Sequence, residues 1–241
     1  MNDPSIATRL ALVQARIAAA TRAAGRPDGS VGLVAVSKLQ GAEAIRAAFA
    51  AGQRAFGENY VQEALEKQAQ LPDLPIEWHF IGRIQTNKTR AIAEHFSWVH
   101  GLADPHHARR LSDQRPPGMG PLWACAQVNL GGEATKGGVR PDDLPALIAT
   151  CAGLPGLRLV GLMTLPEPVA EPELQRRPFR ALRELRDRLA TRALPLDCLS
   201  MGMSDDLEAA IAEGATLVRV GTAVFGPRPY TMGPRVPGPS A

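Results

Sequence analysis

The feature that most narrows the fold is an alternation in which short apolar runs of strand length take turns with longer stretches of helical period. The runs are Leu33 to Ser37, the segment around Phe56, Glu77 to Ile81, Trp98 to His100, Leu122 to Asn129, Leu157 to Met163, Leu196 to Leu199 and Leu217 to Val220. Helical stretches between them include Ala42 to Ala50, Tyr60 to Gln70, Asp142 to Cys151, Phe179 to Ala190 and Asp205 to Glu213. Strands parted by helices pair in parallel, because a parallel crossover needs roughly a dozen residues to return. Eight such units favour a closed (β/α)8 barrel over an open sheet, and 241 residues match the ~250 typical of that architecture.

Asp3 and Pro4 read as the start of an additional leading helix, whose apolar stripe is Ile6, Leu10, Val13 and Ile17 and which ends near Gly25. From Gly226 onward Pro and Gly recur with little apolar material. Residues 1–230 therefore read as a single domain, with 231–241 a disordered tail.

Composition removes several function classes. Lys plus Arg exceed Asp plus Glu by 27 to 24, too small an excess for the dense basic stripe of a nucleic-acid binder. No run reaches the ~18 apolar residues of a membrane span, and the N-terminus lacks a basic segment followed by an apolar one. Cys125, Cys151 and Cys198 show no metal-ligand spacing and sit in or beside apolar runs, as free thiols of a reducing compartment do. The expectation is a cytoplasmic protein without a metal, a membrane anchor or a nucleic-acid partner.

Chemistry gathers at the carboxyl ends of the strands. Strand alternation puts Val34, Val36 and Lys38 on one side. If that side faces inward, Lys38 emerges at the end of the barrel where active sites of this fold sit, and partial desolvation suits its amine to attack on an aldehyde. After the seventh run comes Leu199-Ser-Met-Gly-Met-Ser204, in which Ser200 and Gly202 offer a hydroxyl and accessible backbone while Ser204 reads as the cap of a helix beginning at Asp205. The eighth run ends in Gly221-Thr222, and loops after strands seven and eight are a frequent phosphate site in barrels.

Arg219 shares the parity of Gly221. A guanidinium has donors and no acceptor, so against a pyridine nitrogen it would donate a hydrogen bond and disfavour ring protonation. An ion pair with Glu58 is the structural alternative. Asn59 either donates to a ring hydroxyl or caps a helix. His79 alternates with Trp78 and Phe80, so one orientation buries the aromatics and the other points the histidine inward. Met163, ending the sixth run, either packs on a flat ring or fills the core. Gln85 to Lys88, Asn129 to Glu133 and Lys136 to Gly138 supply polar groups for the rim.

Ordered blocks then carry a resemblance: Ala35-Val-Ser-Lys38, Phe56-Gly-Glu-Asn-Tyr60, Trp78-His-Phe-Ile-Gly82, Gln85-Thr-Asn-Lys88, Gln127-Val-Asn129, Gly161-Leu-Met163, Ser200-Met-Gly-Met-Ser-Asp-Asp206 and Val218-Arg-Val-Gly-Thr222. From about residue 6 to residue 230 the chain resembles the YggS/PROSC family of pyridoxal-phosphate-binding homeostasis proteins. The resemblance implies a barrel like the N-terminal domain of alanine racemase, a fold type III barrel for pyridoxal 5′-phosphate. It implies Lys38 as the internal aldimine, Ser200 and Thr222 with the neighbouring glycine amides of Gly202 and Gly221 on the phosphate, and Arg219 toward the pyridine nitrogen. Asn59, His79 and Met163 complete the expected cofactor contacts. The function implied is a carrier of the cofactor, held as a Schiff base without established turnover, that affects vitamin B6 and amino-acid balance. It would be a monomer or a weak dimer in transient contact with cofactor-dependent apo-enzymes. The alternative is an amino-acid racemase or lyase, against which stands the expected lack of a second domain to supply an opposing base.

Overall fold

The computed structural model describes residues 3–131 and 137–227. Its eight strands close into one barrel in chain order, all paired in parallel. They are β1 (Gly32–Val36), β2 (Ala55–Glu58), β3 (Glu77–Phe80), β4 (Trp98–Leu102), β5 (Leu122–Gln127), β6 (Leu157–Met163), β7 (Cys198–Ser200) and β8 (Leu217–Val220). Around them run α1 (Ile6–Ala23), α2 (Ala42–Ala50), α3 (Val61–Gln70), α4 (Thr89–His95), α5 (Pro105–Asp113), α6 (Leu144–Ala152), α7 (Pro172–Leu189), α8 (Leu207–Ala212) and the short α9 (Thr222–Phe225). The expected rim residues Glu133 and Lys136 and the tail 231–241 lie outside the described residues.

Several boundaries moved for identifiable reasons. Ser5 rather than Asp3 caps α1, its hydroxyl accepting from the Thr8 amide, while Asp3 pairs with Arg9. β7 starts at Cys198 rather than at Leu196, whose φ of 51° is left-handed and ends any extended run. β5 stops at Gln127, beyond which Val128 makes only an isolated bridge to Val139. α7 begins well before Phe179 and carries Pro178 inside it.

Parity divides the core into two layers. Ala35, Phe56, Trp78, Phe80, Val99, Ala124, Leu162, Leu199, Val218 and Val220 point outward into the apolar layer between sheet and helices. Inside the barrel the apolar cluster shrinks to Cys125, Met163 and Cys198, and the interior is otherwise shared with polar groups. Gly161 sits between the two thiols in register, and a Cβ there would run into the Cys198 carbonyl.

The turn that presents Lys38 is built by a buried ion cluster. The Gln40 amide donates to the Ser37 carbonyl at 3.0 Å, leaving Lys38 and Leu39 at the corner, and Leu39 takes a left-handed φ of 62°. For a non-glycine residue that conformation costs about 1–2 kcal/mol. It is held by the Leu39 amide donating to Glu63 Oε1 at 2.5 Å. Lys67 Nζ donates in turn to Glu63 (2.6 Å), Glu58 (2.8 Å) and the Ser37 carbonyl (2.7 Å), and the Ser37 hydroxyl donates to Glu58. Burial pushes the Glu58 carboxyl above the usual carboxylate range, against the pull of Lys67 and Ser37.

Lys67→Met removes the cation that compensates a fully buried carboxylate, and we expect a loss of about 3–5 kcal/mol in urea unfolding. Arg46→Ala, which breaks the exposed Arg46–Asp73 pair, should leave the urea midpoint almost unchanged. Equal losses in the two variants would contradict this account of the turn.

Candidate functional site

A cavity of about 510 Å³ opens at the carboxyl end of the strands. Lys38, Asn59, Arg219, Gly221 and Thr222 line it together, as the sequence led us to expect. Barrel closure makes this convergence: β1 pairs with β8 so that Val34 lies opposite Arg219 and Ala35 opposite Val220, and Lys38 and Gly221 follow directly from those strands. A larger cleft, about 870 Å³, lies at the opposite end, among strand starts and the apolar residues Trp123, Leu157 and Leu194. It lacks both Lys38 and Arg219, so the smaller cavity is the one that gathers the amine and the guanidinium groups.

Arg219 stands on the cavity wall with 4% of its surface exposed. Nη1 donates to Ser200 Oγ at 2.7 Å and Nη2 to the Thr164 carbonyl at 3.0 Å. Burial lowers its pKa to about 10, opposed by Cys125, Asp206 and Cys198, so the group remains cationic at neutral pH. The expected alternative pairing with Glu58 does not form, because Glu58 is taken by Lys67 and Ser37.

Four of the expected contact residues, Ser200, His79, Met163 and Gly202, do not line the cavity. Ser200 is fully buried behind Arg219, between that guanidinium and His100 Nδ1 at 2.7 Å. His79 points into the barrel, but its ring nitrogens meet Glu77 Oε1 at 2.7 Å and His100 Nε2 at 2.9 Å. Met163 fills the inner core beside Cys125 and Cys198. Gly202 contributes through its backbone: its φ is +95°, its carbonyl accepts from the Arg219 amide, and a Cβ would meet the Ala210 side chain at 2.6 Å.

The loop after β7 presents Ser204, not Ser200, to the cavity. Ser204 was expected to cap the following helix, yet α8 starts at Leu207 with Asp206 at its N-cap. The Asp206 carboxylate accepts instead from the Met203 amide at 2.5 Å and folds the loop back. Ser204 is left among the residues that line the cavity. Arg16 of α1 was also missed; its guanidinium lines the cavity, bridging Glu208 and the Ser204 carbonyl. A signal for it existed, since Arg9 and Arg16 fall seven residues apart on the flank of the Leu10, Val13, Ile17 stripe.

The cavity thus combines an amine, two guanidinium groups and a small-residue turn. Thr222 and Ala223 begin α9, where the first amides of a helix have no carbonyl partner one turn back. Asn59 Oδ1 is buried without a hydrogen-bond partner, an acceptor waiting for a donor. Among the described residues no His, Cys, Asp and Glu group is arranged to hold a metal, and no helix is long and apolar enough to cross a membrane.

The alanine racemase N-terminal domain family matches residues 9–229 of the chain. The pyridoxal phosphate homeostasis protein of Pseudomonas aeruginosa is 60% identical over 226 residues, covering 94% of this chain and 97% of that one. Its Escherichia coli counterpart is 47% identical over 234 residues, covering 96% and 99%. Among solved structures, PipY of Synechococcus elongatus with pyridoxal phosphate bound superposes with a TM-score of 0.80 at 40% identity, covering 92% of this chain and 100% of that one. Alanine racemase from Corynebacterium glutamicum, at 19% identity and a TM-score of 0.60 over 90% of this chain and 60% of that one, shares the fold. The chain belongs to the pyridoxal phosphate homeostasis protein family, on the barrel of the alanine racemase N-terminal domain.

Proposed function

We propose that this protein binds pyridoxal 5′-phosphate on Lys38 and serves the balance of that cofactor and of amino acids as a holding protein rather than an enzyme. The observation that carries the reading is the meeting of Lys38, Arg219 and the Gly221-Thr222 turn in one cavity of about 510 Å³, within the ~300–1,000 Å³ of small-molecule sites. The residues suit the cofactor. Lys38 condenses with its aldehyde, releasing one water, and Asn59 Oδ1 accepts from its ring hydroxyl. Ser204, Thr222 and the amides that open α9 hold its phosphate, with Arg16 adding positive charge at that edge. Arg219 donates to its ring nitrogen and resists protonation there.

When bound, the cofactor supplies a reactive aldehyde and a ring able to take up electron density. A ring facing a cationic donor is a weak electron sink, but that donor alone does not separate storage from racemisation, and the chromatographic test below does. Residues of the open mouth leave incoming amines and acceptor proteins a path to the cofactor, and transient contact with apo-enzymes is the exchange we expect. The three buried free thiols fit a reducing compartment and support a cytoplasmic setting.

Lys38→Ala should lose the visible absorption of the loaded protein, with Ser204→Ala and Thr222→Ala each weakening cofactor binding by about five- to tenfold in absorbance titrations. Undiminished binding by all three variants would move the site elsewhere. Delivery is tested by mixing the loaded protein with an apo-enzyme in the presence of a trap for free cofactor. Activation faster than from free cofactor is expected, and equal rates would exclude direct transfer. Chiral chromatography after incubation with L- and D-amino acids should show no interconversion, whereas turnover would establish the racemase reading.

A further inference from the structure

The barrel interior holds a continuous row of polar side chains running from one face to the other. Glu77 opens β3 at the face opposite the cofactor cavity, with its side chain 51% exposed. From its Oε1 the contacts run to His79 Nε2 (2.7 Å), from His79 Nδ1 to His100 Nε2 (2.9 Å), from His100 Nδ1 to Ser200 Oγ (2.7 Å), and from Ser200 Oγ to Arg219 Nη1 (2.7 Å). Both imidazoles and the hydroxyl are buried. Resting on the reading of the cavity given above, we propose that this row is a proton-ordered chain that aims Arg219 at the cofactor, with His100 as its positioning residue.

The ends determine every proton between them. Arg219 has only donors, and an ionised Glu77 has only acceptors. Glu77 therefore accepts from His79 Nε2–H, which in a neutral ring leaves His79 Nδ1 an acceptor. It accepts from His100 Nε2–H, so His100 Nδ1 is also an acceptor and accepts a hydrogen bond from the Ser200 hydroxyl. With that hydrogen turned toward His100, a lone pair of Ser200 Oγ faces Arg219. Without His100 the hydroxyl rotates, and its hydrogen competes for the space that the guanidinium donor occupies.

The surroundings support neutral rings. Burial pushes His79 below the ordinary imidazole range, and pushes His100 well below it with His79 and Arg219 adding to the effect. His79 is stacked on Trp98, with centroids 5.3 Å apart. The other titratable groups that bear on Arg219 are Cys125 of β5, Cys198 of β7 and Asp206 of the loop after β7; all three favour its charge. A proton added to His79 would set two N–H groups against each other across a 2.9 Å contact, and one added to His100 would turn the Ser200 hydroxyl hydrogen back toward the Arg219 donor.

The first test is a long-range ¹H–¹⁵N spectrum of the histidines in the full chain near neutral pH, assigned with His79→Phe and His100→Phe. Both rings should carry their proton on Nε2, with or without cofactor. A proton on Nδ1 of either ring, or a doubly protonated ring, would overturn the proposal. The second test reverses the chain from its far end. Glu77→Lys places a donor where the acceptor stood, so both rings should switch to Nδ1–H, and cofactor affinity in absorbance titrations should fall about tenfold. Asp197→Lys, an exposed charge change on the same face, should alter neither. Unswitched tautomers in Glu77→Lys, or equal affinity losses in both lysine variants, would contradict the mechanism. A wild-type chain that takes up no pyridoxal phosphate would instead defeat the reading of the cavity, while the tautomer result would still stand or fall alone.

Discussion

Closure of the sheet between its first and last strands is the constraint on which the site depends. With β1 beside β8 and Val34 opposite Arg219, Lys38 and Arg219, 181 positions apart in the chain, share one wall. The backbone has to come close for this: a Cβ on Gly221 would sit 3.2 Å from the Val36 carbonyl and 3.4 Å from its Cβ. A one-residue slip of β8 would turn Arg219 into the apolar layer under the helices, and one of β1 would turn Lys38 away from the cavity.

The division of the core into two layers follows from the same geometry. Barrel interiors are ordinarily filled by branched apolar side chains. Here the outer layer carries the apolar packing, while His79, His100, Ser200 and Arg219 occupy much of the inside. A buried guanidinium is costly unless hydrogen-bonded, and Arg219 finds acceptors in Ser200 and the Thr164 carbonyl. The polar interior is thus the structural requirement of keeping a cation beside the cavity. A second ion cluster, Lys67 with Glu58 and Glu63, does the equivalent for the turn that carries Lys38.

What could be read in the sequence was what depends on period and parity. The strands, their parallel order and the common side of Val34, Val36 and Lys38 all follow from alternation, and the meeting of Lys38 with Arg219 follows once that side faces into a closed barrel. Loops were less legible, because their geometry is set by partners remote in sequence. The sequence points to Ser200 as the site hydroxyl and to Ser204 as a cap, whereas in the fold Asp206 accepts from the Met203 amide and Ser204 is the one that lines the cavity. His79 showed two orientations, and the outward burial of Trp78 and Phe80 selects the inward one, yet its hydrogen bonds to Glu77 and His100 draw it away from the mouth. Arg16 is not legible from the strand-and-loop repeat because it stands on a helix outside it.

The most direct measurement is borohydride reduction of the cofactor-loaded protein, followed by intact mass and peptide mapping. The chain contains four lysines, Lys38, Lys67, Lys88 and Lys136, so the map discriminates cleanly. The account predicts one phosphopyridoxyl group, on the peptide containing Lys38. An adduct on any other lysine, or none at all, would contradict it.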